Sequence, residues 1–358
     1  GGELTPAEAA LIEACLAGRG CIIGEDRPDA PSEDREIRAP ILKALITGGL
    51  PDQPTTDVGV HLEGAYVSGP LDLSLCRATG LTGLLNCRFE HGLEAMQAQF
   101  EFLNLSGSYL PKLNAQGARV AGSVFLSGGF HATGEVSLSG AEIGGLLCCA
   151  GGRFENAKGH ALKAQGARIK NGVFLTDDFY ANGMVLFSGA QIEGQLDCSS
   201  ARFNNEAGFS FQAEGAKVDG LVDFRKAFIL TGGINIAGMR ISKQLIFQAL
   251  CFLSDDGKGI HAQALKCDGE FVLQTSYLRK QSVNLAFAHV GTLADDPDSW
   301  PKGGRVILNG FTYDRIGDGP TDSKARLAWL ARGDRLGDEF FPQPYTQLAK
   351  VLRNMGHE

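Results

Sequence analysis

The phrase QGARVAG at residues 116–122 recurs along the chain in five further copies. The second residue of each copy, a glycine, serves as an anchor, and successive anchors are separated by 23, 26, 23, 26 and 23 residues. Ala264 and Phe287 continue the series after a further 26 and 23 residues, and Gly64 is assigned to an earlier copy. The five copies are SGAEIGG at 139–145, QGARIKN at 165–171, SGAQIEG at 188–194, EGAKVDG at 214–220 and the weaker AGMRISK at 237–243.

Apolar residues stand at fixed offsets from the anchors, which are three, seven and nine residues after each anchor and four residues before it. In the copy anchored at Gly117 they are Val120, Val124, Leu126 and Leu113. These positions alternate with polar ones, which is the two-residue period of a β-strand. A repeat of about 23 residues has the length of one turn of a β-solenoid, whose strands pair with neighbouring turns about 4.8 Å away. The sequence therefore predicts an all-β solenoid, a parallel β-helix filled by columns of equivalent apolar side chains, with an irregular register between about residues 73 and 97.

The two ends of such a solenoid expose sheet edges and core, so they need caps. We predict a helical cap at residues 1–56, the β-helix at 57–317 and a helical extension at 318–358. At the N-terminus, Thr5 and Glu8 form a capping-box pattern, and a second helix is predicted to open at Ser32.

Two short helices are predicted near the C-terminus. The first spans about residues 322–332, with Leu327 and Leu330 facing inward. The second starts near Pro344 and stops at Gly356. Together these helices would cover the last turn of the solenoid.

Composition limits the classes of function. The 48 glycines are spread along the chain, as expected for many backbone corners. The formal net charge of −8 makes nucleic acid an unexpected partner, because phosphate-backbone binders usually carry an excess of lysine and arginine. No apolar run of membrane-spanning length and no signal-peptide pattern occurs in this sequence. The nine cysteines lack a Cys-x-x-Cys motif, which favours a reducing, cytoplasmic location.

No cofactor and no metal site is predicted. The glycines keep solenoid spacing and form no phosphate-binding loop between a strand and a helix. The seven histidines show no metal-ligand spacing. Cys149 and Cys198 occupy the same interior offset, so we interpret them as core fillers, with reactive thiol chemistry as the alternative.

A row of mostly basic residues lies two positions after the anchors. Stacked on successive turns, these side chains would form a basic stripe able to meet an anionic partner. The alternative is a solvated charged face that maintains solubility and discourages lateral aggregation. The row consists of Arg119, Glu142, Arg168, Gln191, Lys217, Arg240 and Lys266, and its five basic members are the predicted binding residues.

A second candidate site is acidic. Asp72, Asp197 and Asp223 lie eight residues after their assigned anchors, and the last two belong to neighbouring turns. Two carboxylates at so short a distance from each other could perform acid-base chemistry, as in β-helix enzymes that cleave polysaccharides. The sequence shows no further acids or arginines grouped around them, and structural roles can also perturb carboxylates.

Alternate turns carry three extra residues. They fall at ENAKGH near residue 155, NNEAGF near 204 and SDDGKG near 254. These insertions predict a ribbed edge, which could recognise a periodic partner or could consist of tolerated surface insertions.

The repeats, the entry IRAPILKALITGGL at 37–50 and the closing segment at 342–358 resemble the pentapeptide-repeat and related right-handed β-helix families. They look closer still to a bacterial group labelled membrane-associated oxidoreductases, a label for which the residues show no mechanism. The resemblance covers about residues 36–356. It implies a right-handed coil and a full-length protein that continues beyond the C-terminus to an anchor on the inner face of a membrane.

The sequence thus predicts a non-catalytic binding or scaffolding module, whose partner is a protein or an anionic surface. The alternative is a polysaccharide-active enzyme that uses Asp197 and Asp223. A third hypothesis, an acidic rod that mimics DNA, requires a continuous negative face, which the basic row disfavours.

Overall fold

The computed structural model describes residues 3–50, 53–255, 258–275, 277–278, 280–333, 335–336 and 339–357. The chain divides into two compact units, Gly1–Asn182 and Gly183–Glu358. The structure is a parallel β-solenoid of about 11 turns with short helices at the N- and C-termini, so the predicted fold class is confirmed.

In the first unit, each turn contributes strands to two parallel sheets, which we call sheet A and sheet B. The strands of sheet A are Cys21–Ile22, Gly59–Glu63, Leu81–Leu85, Gln99–Phe100, Phe102–Asn104, Arg119–Val120, Val124–Phe125, Glu142–Ile143, Leu146–Cys148, Arg168–Ile169 and Gly172–Phe174. The strands of sheet B are Glu36–Arg38, Tyr66–Ser68, Leu71–Asp72, Arg88–Phe89, Leu93–Glu94, Tyr109–Leu110, Leu113–Asn114, His131–Ala132, Val136–Ser137 and Arg153–Lys163. Strand Tyr180–Leu186 crosses the division between the units.

The second unit repeats the same plan, and the names sheet A and sheet B are used for it in the same way. Its sheet A strands are Gln191–Ile192, Gln195–Asp197, Lys217–Val218, Val222–Asp223, Arg240–Ile241, Leu245–Gln248, Lys266–Gln274, His289–Asp295 and Thr312–Ile316. Its sheet B strands are Arg202–Asn204, Phe211–Gln212, Phe228–Ile229, Ile234–Asn235, Cys251–Phe252, Ile260–His261, Val283–Asn284 and Val306–Ile307.

Helices and two small antiparallel hairpins complete the chain. The hairpins pair Gly49–Leu50 with Gln53–Pro54, and Arg335–Leu336 with Glu339–Phe340. The α-helices are α1 (Pro6–Leu16), α2 (Ala39–Ile46), α3 (Ser323–Leu330) and α4 (Gln343–Asn354), and a 3-10 helix spans Pro297–Ser299. Among the described residues, no helix combines the length and the apolar character that crossing a bilayer requires.

The predicted interior columns are present. Val120, Ile143 and Ile169 pair in register on three consecutive strands, and each is at most 4% exposed. Burying a side chain of this size contributes about 1.5–3 kcal/mol. Phenylalanines reinforce the core, because the rings of Phe130, Phe154 and Phe179 follow one another with centroids 5.2 Å apart. The apolar offsets therefore specify which side chains fill the solenoid.

Left-handed backbone at the corners explains the anchor glycines. Gly117 and the five later anchor glycines have φ between 63° and 67°, a region that glycine enters without steric cost. Ala264 and Phe287 continue this corner with φ of 56° and 57°. In the irregular stretch the same corner is made by Leu75 and Gln97, at 61° and 54°.

The assignment of Gly64 to this series is wrong. Strand Tyr66–Ser68, which follows it, pairs in sheet B with Arg88–Phe89, whereas the strands after the true anchors lie in sheet A. Gly64 belongs to a second corner, where it donates its N–H to the carbonyl of Leu85. Asp72 consequently pairs with Glu94 in sheet B and does not share a column with Asp197 and Asp223.

The N-terminal capping box is confirmed, and the start of the second helix is corrected. Glu8 accepts the N–H of Thr5 at 3.0 Å while its own N–H donates to the Thr5 hydroxyl at 3.0 Å. The predicted helix start at Ser32 is wrong because Ile37 lies in a strand that pairs with Val67 and is fully buried. Helix α2 starts only after this strand, and two strands of the predicted cap region thus belong to solenoid turns.

At the C-terminus both predicted helices are present. Leu330 is buried as predicted, but Leu327 is 49% exposed, so its inward placement is wrong. The glutamines of α4 explain how the helix covers the last turn. Gln343 and Gln347 donate side-chain N–H groups to the carbonyls of Phe311 and Tyr313 at 3.1 and 2.6 Å. These bonds satisfy backbone groups that an open sheet edge would leave unpaired.

Candidate functional site

The basic row behaves differently in the two units. In the first unit Arg119 and Arg168 flank Glu142 on the next strands in either direction. The carboxylate of Glu142 lies 3.3 Å from the guanidinium of Arg119 and 3.2 Å from that of Arg168. Two cations thus share one anion, and Glu142 interrupts the line of positive charge in this part of the row.

In the second unit three successive positions of the row are positively charged. Lys217, Arg240 and Lys266 pair in register on three consecutive strands, about 4.8 Å apart. All three side chains point outward and are exposed. No ion pair within 4.0 Å involves Arg240 in the part of the chain that the structure describes. The structure therefore places three of the five predicted binding residues side by side.

Acidic residues flank this part of the row on one side. Asp219 lies two residues after Lys217 with its carboxylate 3.0 Å from the ammonium group, and Asp268 stands in the same relation to Lys266 at 3.9 Å. Such exposed pairs contribute only about 0.2–1 kcal/mol each, so they leave the lysines available. They also bound the line of cations on this side.

The two carboxylates of the predicted acidic site lie on neighbouring strands. Asp197 pairs in register with Asp223. Asp197 accepts the N–H of Ser199 at 2.9 Å, and Asp223 accepts the N–H of Arg225 at 2.8 Å. Each aspartate therefore closes the turn that follows its strand, in the manner of an Asx-turn.

Arg225 adds a second constraint on Asp223. Its guanidinium lies 2.5 Å from the buried carboxylate, and this hydrogen bond raises the pKa of Arg225. A general base or a nucleophile needs a carboxylate that can face a substrate. The contacts of Asp223 instead fit the structural role that the sequence left open.

Two of the predicted insertions are closed by hydrogen bonds of their own, and the first is also tied to a neighbouring turn. In ENAKGH, Asn156 donates its amide to the carbonyl of His160 at 2.9 Å, and in NNEAGF Asn205 does the same to Phe209 at 2.7 Å. His131 and Glu155 approach to 2.7 Å and tie the first insertion to the preceding turn. In SDDGKG, residues 256–257 lie outside the described residues.

A column of aromatic and basic side chains on sheet B was missed by the sequence analysis. Arg88, Tyr109, His131 and Arg153 pair in register on four successive strands of the first unit. The guanidinium of Arg88 lies 4.6 Å from the ring centroid of Tyr109, and that of Arg153 lies 4.5 Å from the ring of Tyr180. Contacts of this kind are cation–π interactions.

Polar groups of this column are hydrogen-bonded to other groups of the protein. Burial would raise the pKa of Glu155, but hydrogen bonds from Arg153 and His131 lower it below its ordinary value. The column cannot be recognised from fixed offsets, because its distance from the anchor glycine changes from turn to turn. Tyr109, His131 and Arg153 precede their anchors by 8, 9 and 13 residues. An alignment of turns on both corners would have revealed it.

The cysteines fit the core-filler interpretation. Cys149 and Cys198 are fully buried, and burial raises the pKa of both thiols well above the ordinary value. Burial likewise raises the pKa of Cys87 to about 12. A thiol with a raised pKa is a poor nucleophile because the thiolate is the reactive form. Within the described ranges, no group of three or more His, Cys, Asp or Glu side chains is arranged to hold a metal ion.

Comparisons of the chain with models of protein families, with curated proteins and with solved structures found no match.

Proposed function

We propose that this protein is a non-catalytic binding module and that its second unit binds an extended acidic segment of a partner protein along Lys217, Arg240 and Lys266. The observation that carries the proposal is the in-register stack of these three exposed cations. A cation every 4.8 Å or so provides a regular line of contacts for carboxylates. The resemblance to pentapeptide-repeat-like proteins supports the proposal, since stacked repeats commonly present binding faces.

The flanking acids favour a narrow partner over a broad anionic plane. A membrane surface lying on this face would meet Asp219 and Asp268 together with the cations. A single extended chain can follow the line of cations and keep its carboxylates away from both aspartates. An acidic peptide therefore fits better than a lipid surface.

The polysaccharide-active enzyme has less support. Asp197 and Asp223 both accept a backbone N–H that closes a turn, and the carboxylate of Asp223 is also paired with the guanidinium of Arg225. No specific observation favours hydrolysis over binding.

Binding of fluorescent poly-L-glutamate, followed by anisotropy at low salt, tests the proposal. The test variant is Arg240→Gln/Lys266→Gln. The matched control is Arg119→Gln/Arg168→Gln, which removes the same number of charges from the same row. Because an exposed charge pair contributes about 0.2–1 kcal/mol, we expect the test variant to bind about 2- to 30-fold more weakly. The control should bind within about 2-fold of the unmodified protein, since Glu142 lies between the two arginines and would repel a carboxylate that follows this part of the row.

Equal weakening in both variants would indicate a response to net charge and would overturn the proposal. So would anionic vesicles that bind the unmodified protein while poly-L-glutamate does not.

A further inference from the structure

A groove of about 500 Å³ opens on the outer face of sheet A in the first unit. Its apolar walls are Ile22, Val58, Leu81 and Phe102, and the side chains of His61 and Asn104 reach into it. The volume falls within the range of about 300–1,000 Å³ that small-molecule sites occupy.

Two glycines, Gly20 and Gly83, line this groove next to His61. His61 pairs with Gly83, and Gly83 pairs with Asn104 on the next strand, so one outward column reads histidine, glycine, asparagine. Gly20 approaches the other side of His61, where an added Cβ would lie 2.9 Å from its ring. An added Cβ at Gly83 would lie 3.1 Å from the His61 ring and 3.3 Å from the Leu85 side chain, so only a glycine here leaves the His61 ring in its place beside the groove.

Three of the four apolar wall residues are at least half exposed. Ile22 is 64% exposed, Val58 50% and Leu81 51%. Single exposed apolar residues are ordinary, but three that converge on one concave site favour a binding role.

Both polar groups in the groove have open donors. The Asn104 carboxamide oxygen accepts the N–H of Ser106 at 2.9 Å, which orients the side chain and leaves its NH₂ group facing outward. Within the described part of the chain, that NH₂ group and the His61 ring have no hydrogen-bond partner. The nearby acid Glu63 is engaged by the side-chain amide of Asn86 at 3.0 Å.

We propose that this groove binds a small amphiphilic carboxylate, with an apolar chain or ring against Ile22, Val58, Leu81 and Phe102 and its carboxylate accepting from His61 and Asn104. Two donors with no competing acceptor are complementary to an anionic acceptor head, and the apolar walls are complementary to a hydrocarbon body. The groove shares no residue with the basic row, so this proposal stands or falls independently of the acidic-segment proposal.

The probe is 4-phenylbutyrate, compared with the neutral 4-phenyl-1-butanol and followed by the methyl NMR signals of Ile22, Val58 and Leu81. For a ligand of this size we expect saturable shifts with a Kd on the order of 1 mM. The carboxylate should bind about 10-fold more tightly than the alcohol because charge-assisted hydrogen bonds are the stronger kind.

Two variants test the shape of the groove and its hydrogen-bond donors separately. Gly83→Ala places a methyl group 3.1 Å from the His61 ring and 3.3 Å from Leu85, and it should weaken both probes by about 10-fold or more while the fold is retained. Asn104→Asp keeps the acceptor for Ser106 but replaces the donor by a negative charge, so it should abolish the preference for the carboxylate and leave binding of the alcohol unchanged. Gly208→Ala is the matched control, since a methyl group there meets nothing within 4 Å.

Shifts that do not saturate, or that are equal in the unmodified protein and Gly83→Ala, would overturn the proposal. Self-association that Gly83→Ala abolishes, without any effect of 4-phenylbutyrate, would also overturn it and would identify a second copy as the occupant.

Discussion

The end of the second unit contains a buried ion pair whose disruption should be costly. Asp295 and Arg326 are each 1% exposed at the side chain. The guanidinium donates to both carboxylate oxygens at 2.8 and 2.7 Å, and its third nitrogen donates to the carbonyl of Pro320 at 2.6 Å. The indole N–H of Trp300 donates to the same carboxylate at 2.6 Å. These four hydrogen bonds therefore hold the pair within the protein.

Replacing Arg326 by methionine leaves Asp295 buried, with Trp300 as the one remaining donor to its carboxylate among the described residues. Removing one partner of a buried pair costs about 3–5 kcal/mol, because the other charge remains uncompensated. With a urea dependence of about 3 kcal/mol per M, the unfolding midpoint should fall by about 1–2 M. The double variant Asp295→Asn/Arg326→Met removes the stranded charge, so it should be more stable than Arg326→Met alone.

Urea unfolding monitored by tryptophan fluorescence measures these differences, since Trp300 and Trp329 lie in the same cluster with ring centroids 5.1 Å apart. Lys302→Met is the control, because its ion pair with Asp298 is mostly exposed and should contribute no more than about 1 kcal/mol. If Arg326→Met unfolds within 1 kcal/mol of the unmodified protein, or if the double variant is no more stable than the single one, the pair does not hold the end of this unit in the way inferred here.

Two further predictions concern the N-terminal helix and the cysteines. Burial would raise the pKa of Glu8, but hydrogen bonds from Arg38 and Thr5 lower it, so its stabilising contribution is complete above the unfolded pKa of about 4.5 and is lost as pH falls through the lower folded value. Glu8→Gln should cost about 1.5–3 kcal/mol at pH 7 in urea unfolding and should flatten the loss of stability below pH 5; an unchanged acid profile would contradict this. A thiol reagent applied to the native protein should modify Cys76 and Cys148, which are partly exposed, and should reach the seven buried cysteines only after unfolding. Rapid native modification of Cys149 or Cys198, read by mass spectrometry, would contradict the core-filler assignment.

The interior columns could be predicted because close packing constrains them strongly. A position such as Ile143 must be apolar and similar in size to its neighbours Val120 and Ile169, so the repeat is visible in the sequence. The corners were less certain, because both corners of a turn use left-handed backbone. Gly64 and Gly117 therefore look alike in sequence although they lie at different corners.

Local periodicity also gave a wrong secondary structure at a position where pairing with a distant strand determines the conformation. Ile37 fits a helical pattern with the apolar residues that follow it, but its pairing with Val67 places it in a strand. The ion pair of Asp295 with Arg326 joins residues 31 positions apart and has no local signature. The groove depends on the absence of a side chain at Gly83, which the sequence shows only as one glycine among 48.

The outer columns can change without disturbing the fold, and this freedom is what allows one repeat to carry different surfaces. At the same offset after the anchor, the first unit places Glu142 between two arginines, whereas the second unit places Arg240 between two lysines. The adjacent inward residues, Ile143 and Ile241, are equally buried in both cases. Since the interior side chains determine the path of the backbone, an outward substitution alters charge or shape at a position that is already fixed. Binding properties should therefore be sought in the outward columns, and substitutions there should change partners with little effect on stability.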